Sequence, residues 1–117
     1  MERMAFEVMK YLHDRKLWED VDLYVNGKAL SSHRIGTDGS GSKTSPDGVP
    51  YFECERDVAV ITEYCNPKTL TMTFEGPLYD LINHSMSGKT MEDLNGIFSR
   101  YGLYAEQGHA WSLACYE

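Results

Sequence analysis

Two glycine-lysine-threonine stretches come nearest to a known catalytic spacing. A phosphate-cradling loop places four residues between its first glycine and a Gly-Lys-Ser/Thr, then opens a helix whose N-terminal amides face the anion. In Gly36-Thr37-Asp38-Gly39-Ser40-Gly41-Ser42-Lys43-Thr44 a serine separates the last glycine from the lysine, and Ser45-Pro46-Asp47-Gly48 continues as loop. Gly88-Lys89-Thr90 does open a helical stretch, but Asn83 stands where the first glycine belongs and no strand precedes it. Chance matches in a chain rich in Gly, Ser and Thr account for both, and neither supports nucleotide hydrolysis.

Metal chemistry would draw on His13, His33, His84 and His109 with Cys54, Cys65 and Cys115. No pair of them has ligand spacing such as Cys-x-x-Cys or His-x-x-x-His. Cys54 and Cys115 fall on the apolar phase of strands, where cysteine acts as a small hydrophobe. A serine or cysteine nucleophile needs a histidine base, and no motif here ties the two together. Glu106-Gln107-Gly108-His109 is the tightest group of titratable residues, and Glu106 with His109 could exchange a proton. The plainer reading is a bend in the tail with Gly108 at the turn. No catalytic residue, no metal ligand and no cofactor is therefore assigned.

Positioning these residues falls to a chain of 117 residues, one domain's worth. Glu2 to Trp18 carries Ala5, Val8, Met9 and Leu12 at helical spacing, with charges on the other side. Val21–Val25 alternates with period two and meets Lys28–Ser31 across Asn26-Gly27, the strongest short hairpin signal. Gly36–Gly48 has four glycines, three serines, a proline and no apolar side chain, and reads as a flexible loop. Val49–Glu55 resumes strand character. Val58–Tyr64 and Thr69–Glu75 read as a second hairpin around Asn66-Pro67, with Val58, Val60, Leu70, Met72 and Phe74 inward and Thr69, Thr71 and Thr73 outward.

Gly76-Pro77 starts a short helix to about Asn83, and a further helix runs from Thr90 or Met91 to Tyr101. Thr90 with Asp93 resembles a capping box, and Gly102 supplies the C-cap. Trp111, Leu113 and Cys115 alternate with Ser112, Ala114 and Tyr116 as a final strand with Trp111 in the core. The fold class is α+β: a single domain with a mainly antiparallel sheet of about five or six strands, an N-terminal helix and two helices before the last strand.

The net charge of −7 is uneven: residues 1–48 hold 7 basic and 8 acidic side chains, residues 49–117 hold 4 and 10. That sign opposes direct binding to nucleic acid or to an anionic membrane. No apolar run is long enough to span a bilayer. Three cysteines in odd number argue against a disulfide framework and for a cytoplasmic setting with reduced thiols. Glu53, Glu55, Asp57 and Glu63 form an acidic run with only Arg56 nearby, and Tyr104 and Tyr116 lie in a tyrosine-rich tail.

These six residues are the expected contact surface of a small, non-catalytic binding or inhibitor protein whose partner is a protein with a basic surface. One specific form of that expectation is an anti-defence protein of a phage or plasmid, of the anti-CRISPR or anti-restriction kind. The alternative is a small enzyme or ligand-binding domain with a cleft under the 36–48 loop.

Overall fold

A computed structural model describes residues 1–33, 41–84 and 87–117. The elements run α1 (Glu2–Asp14), β1 (Val21–Val25), β2 (Lys28–Ser31), β3 (Gly41–Thr44), β4 (Pro50–Glu55), a single 3₁₀ turn (Val58–Val60), β5 (Thr71–Phe74), α2 (Gly76–His84), α3 (Lys89–Ser99), β6 (Tyr104–Gln107) and β7 (Ser112–Tyr116). The strands form one seven-stranded sheet in the order β3-β4-β2-β1-β5-β7-β6, antiparallel at every pairing. The fold is α+β as the pattern predicts, with more strands than the five or six expected.

Local sequence explains the element ends. Asn26 and Gly27 hold φ of 54° and 76°, the paired positive values that a two-residue hairpin turn requires. The first helix stops at Asp14, four residues before Trp18, because the chain reverses there. Leu17 N–H donates to Leu12 O at 2.7 Å and Lys16 N–H to His13 O at 3.1 Å, with Lys16 at φ 60°. This is the Schellman arrangement, with Leu17 and Leu12 both packed into the core. The third helix ends the same way: Leu103 N–H meets Phe98 O at 3.0 Å and Gly102 holds φ 77°. Its start differs from the expected capping box. Gly88 is the N-cap, and Asp93 instead accepts from Tyr11 Oη and pairs with Lys89, clasping α3 to α1.

The sheet has two unlike faces. Val21, Leu23, Val25, Leu30, Met72, Phe74, Leu113 and Cys115 point toward the helices and form the main core with Met4, Val8, Met9, Leu12, Leu94 and Phe98. On the other face the register lines up Phe52, Ser31, Asp22, Thr73 and Ser112 in one row across five strands. The next row holds Cys54, Ala29, Tyr24, Thr71 and Ala114.

Residues 56–70 cross this second face, because β4 pairs with the outer side of β2 while β5 pairs with β1. Val58 packs on Tyr24 and Ala29, with Ile61, Cys54 and Cys65 beside them, as a small second core. Val58–Tyr64 is thus not a strand. No sheet edge is within its reach, so short polar groups satisfy its backbone instead: Asp57 accepts from Ala59 N–H at 3.0 Å and Thr62 Oγ1 from Tyr64 N–H at 3.1 Å. Val60 is 75% exposed rather than inward. Asn66 still caps a turn, accepting from Lys68 N–H at 3.1 Å, but that turn leads into β5 without joining a hairpin.

Gly41–Thr44 is an edge strand on β4 rather than loop, and Ser45 closes its hairpin by bonding Val49 N–H. Residues 36–40 of the expected loop lie outside the described residues. The bonded pair Ser45–Val49 makes Ser42 and Thr44 the residues whose backbone groups face outward. At the opposite edge β6 is a strand that the alternation of the tail did not announce. There Asn95 of α3 accepts from Ala105 N–H at 3.1 Å, and Gln107 bonds Asn83 of α2.

Leu23 and Val60 separate this arrangement from the two-hairpin reading. Leu23→Ala should lower the unfolding free energy by about 2–5 kcal/mol, as Leu-to-Ala changes in closed cores do. Val60→Ala should stay within about 0.5 kcal/mol, the range of surface substitutions. Urea unfolding of both variants checks the contrast.

Candidate functional site

Of the six expected contact residues, Glu53 and Glu55 lie on β4 toward one end of the sheet, Tyr104 and Tyr116 on β6 and β7 at the other, and Asp57 and Glu63 on the crossover between them. Glu53 and Glu55 lie two apart on β4 and share the helix-facing side. Glu53 is not unpaired: Lys43 Nζ reaches its Oε2 at 2.8 Å and Lys28 Nζ its Oε1 at 3.3 Å, while Lys28 also pairs with Glu2 of α1. A ladder of alternating charge, Glu2–Lys28–Glu53–Lys43, thus runs from the helix to the β3 edge. Lys43, then Lys28, hold the Glu53 carboxyl below the usual glutamate range. Glu55 is exposed, Asp57 caps the 3₁₀ turn, and Glu63 is exposed on the crossover. The acidic run in sequence is therefore not one acidic surface.

Tyr104 and Tyr116 do come together. They are register partners of β6 and β7, with ring centroids 6.2 Å apart, and Tyr104 is 49% exposed. Glu106 is two residues along on the same face. Burial, with Glu106 adding to it, raises the Tyr116 phenol above its ordinary pKa.

The β6–β7 turn adds an aromatic stack. His109 lies edge-on to Tyr64 at 4.8 Å and parallel to Trp111 at 4.6 Å. Gly108 permits it, because a Cβ there would lie 2.3 Å from the Tyr64 Cβ. His109 thus packs between rings and is no partner for Glu106. Trp111 is half-buried and precedes β7, so it is not the core residue that strand alternation suggests. Strand periodicity was the wrong guide because the turn extends to Trp111.

Beyond Trp111 the open face sinks into a cleft of about 400 Å³. Asp22 and Thr73 of the polar row form part of its lining, with His33, Arg56, Ile61 and Trp111 around them. Asp20 and Glu75 complete the rim. The Asp20 carboxylate packs against Gly76, the first residue of α2, where the helix dipole favours an anion. Nothing in the sequence signalled this cleft, since its residues come from positions 20 to 111.

Asp22, Ser31 and His33 make a hydrogen-bonded chain, but not a nucleophilic relay. Ser31 Oγ gives its proton to Asp22 and is fully buried; His33 Nδ1 lies 3.3 Å from it. An activated serine would instead donate to the imidazole. Lys89 of the second phosphate-loop near-miss is taken by Asp93, and Lys43 of the first by Glu53. Among the described residues no group of three His, Cys, Asp or Glu side chains could hold a metal ion. No helix among them is long and apolar enough to cross a membrane. No family model, curated protein or solved structure matches the chain.

Two consequences can be measured. Burial pushes the Cys115 thiol up to about 12, whereas Cys54 and Cys65 are only half-buried. A thiol reagent should therefore modify two cysteines quickly and Cys115 only as fast as the protein unfolds, which mass spectrometry of a labelling time course resolves. The depressed Glu53 carboxyl contributes stability that is complete above the ordinary glutamate range and is lost as pH falls through its lowered value. Glu53→Gln should reduce stability near neutral pH and flatten the acid limb of a stability profile taken from about pH 7 to pH 3.

Proposed function

We propose that this chain is a non-catalytic binding protein that engages a macromolecular partner with a basic surface through the β6–β7 end of its open sheet face. The observation that carries the reading is the grouping of Tyr104, Tyr116 and Tyr64 with Glu106 on that end. Tyr64 and Tyr104 leave 48% and 49% of their surface in solvent. Exposed tyrosines combine apolar area with a hydroxyl at low entropic cost, and they are enriched at protein interfaces. The net charge of −7 adds long-range attraction toward a basic partner and speeds encounter. Glu53 contributes little to this, since two lysines already neutralise it.

The open-face cleft favours a second reading, a ligand-binding domain. It differs from the cleft expected under the 36–48 segment in that, His33 apart, its lining comes from β1, β5, the residues beside them, the crossover and Trp111.

The partner reading is tested with the triple variant Tyr104→Ser, Tyr116→Ser and Glu106→Lys, set beside the double variant Glu53→Lys and Glu55→Lys. The full chain is immobilised, its partner is captured from the source cells and purified, and association is followed at several salt concentrations. The triple variant should keep its cooperative unfolding yet lose at least about tenfold in affinity, the scale of interface hot spots. The double variant should bind with nearly unchanged affinity. Equal binding by wild type and triple variant would place the interface elsewhere.

A further inference from the structure

The cleft on the open face holds charges of both signs that do not meet. Arg56 lines it together with Asp20, Asp22 and Glu75, yet its guanidinium makes no ion pair within 4 Å of any described carboxylate. Asp22 takes the Ser31 hydroxyl proton and Asp20 packs at the start of α2. Glu75 anchors its backbone N–H on Asp20 O at 2.9 Å and gives its side chain no described partner. The strands and the crossover thus hold a guanidinium and carboxylates in one concavity, with Ile61 and Trp111 as an apolar wall.

A cation alone would meet an unpaired guanidinium, and an anion alone would meet the carboxylates. A compact dipolar molecule satisfies both. We infer, resting on the ligand-binding reading of this cleft, that it takes a small zwitterion, an α-amino acid with an apolar side chain. Its carboxylate pairs with Arg56 in a charge-assisted fork. Its ammonium is taken by Glu75 and Asp22, and its side chain lies against Trp111 and Ile61. A volume of about 400 Å³ admits such a molecule with water to spare. The surplus of carboxylates in the lining sets the preference for keeping the ammonium unblocked.

The test is amide-proton NMR of the full chain titrated with L-leucine, L-leucinamide, N-acetyl-L-leucine and 3-methylbutylamine. L-leucine should shift the Trp111 indole N–H and the Thr73 amide saturably. L-leucinamide and N-acetyl-L-leucine should each bind at least about tenfold more weakly, as sites with charged partners reject analogues that leave those partners unpaired. Arg56→Gln should erase the difference between L-leucine and its amide. Glu75→Gln should weaken both of these and leave N-acetyl-L-leucine unchanged. Thermal unfolding of both variants at the wild-type midpoint shows that the fold is intact. If L-leucinamide and 3-methylbutylamine bind as tightly as L-leucine, the cleft takes cations and the zwitterion assignment is wrong. If no probe shifts any cleft resonance, the ligand-binding reading fails along with it.

Discussion

The pairing of β4 with the outer side of β2 governs most of this molecule. Once that pairing is made, the next open edge on that side of the sheet is the far side of β1, and β5 reaches it only by crossing β2 and β1. The helices occupy one face of the sheet, so residues 56–70 run over the other. Their passage buries Val58 on Tyr24 and Ala29. It also carries Tyr64 to the β6–β7 turn and brings Arg56 and Ile61 over the polar row. The second core, the aromatic stack and the cleft all follow from one long connection.

That connection also decides which face stays open. The helix-facing side is filled with close-packed apolar groups and is closed at the β3 end by the Glu2–Lys28–Glu53–Lys43 ladder. A segment of polar residues with single apolar anchors cannot cover the opposite face as fully as helices do. It touches down at Val58 and again near Asn66 and Thr69, which both donate to Cys115 O, at 2.9 Å and 2.6 Å. Between and beside these contacts Asp22 and Thr73 of the polar row stay accessible. The cleft and the exposed tyrosines lie on this face because the fold leaves it incompletely filled.

Where local rules governed, the sequence was readable. Asn26-Gly27 and Gly102 each demand a backbone conformation that few residues adopt, and the β1–β2 hairpin and the end of α3 follow. Where partners are distant, it was not. Lys28 and Lys43 neutralise Glu53 only because strand register places them there, 25 and 10 residues away in sequence. Val58–Tyr64 has strand composition, but it lies over the face of β1 and β2, and in the sheet both of those strands are paired on both sides. Gly41–Thr44 lacks apolar side chains because an edge strand whose outer face is solvated does not require them. Tyr104 and Tyr116 were legible as a tyrosine-rich tail, although their pairing depended on β6, which composition left unmarked.

The two borders of the sheet are finished differently. At β6, Asn95 of α3 accepts from the outward Ala105 N–H, and Asn83 of α2 accepts from the Gln107 side chain. At β3 the outward backbone groups of Ser42 and Thr44 have no helix beside them among the described residues, and Lys43 is turned to Glu53. Among the described residues the β6 border is thus partly occupied by helix side chains, whereas the β3 border is not. A further strand approaching β6 would have to displace Asn95 from the Ala105 N–H, so that border is guarded by an asparagine rather than by proline or a bulge.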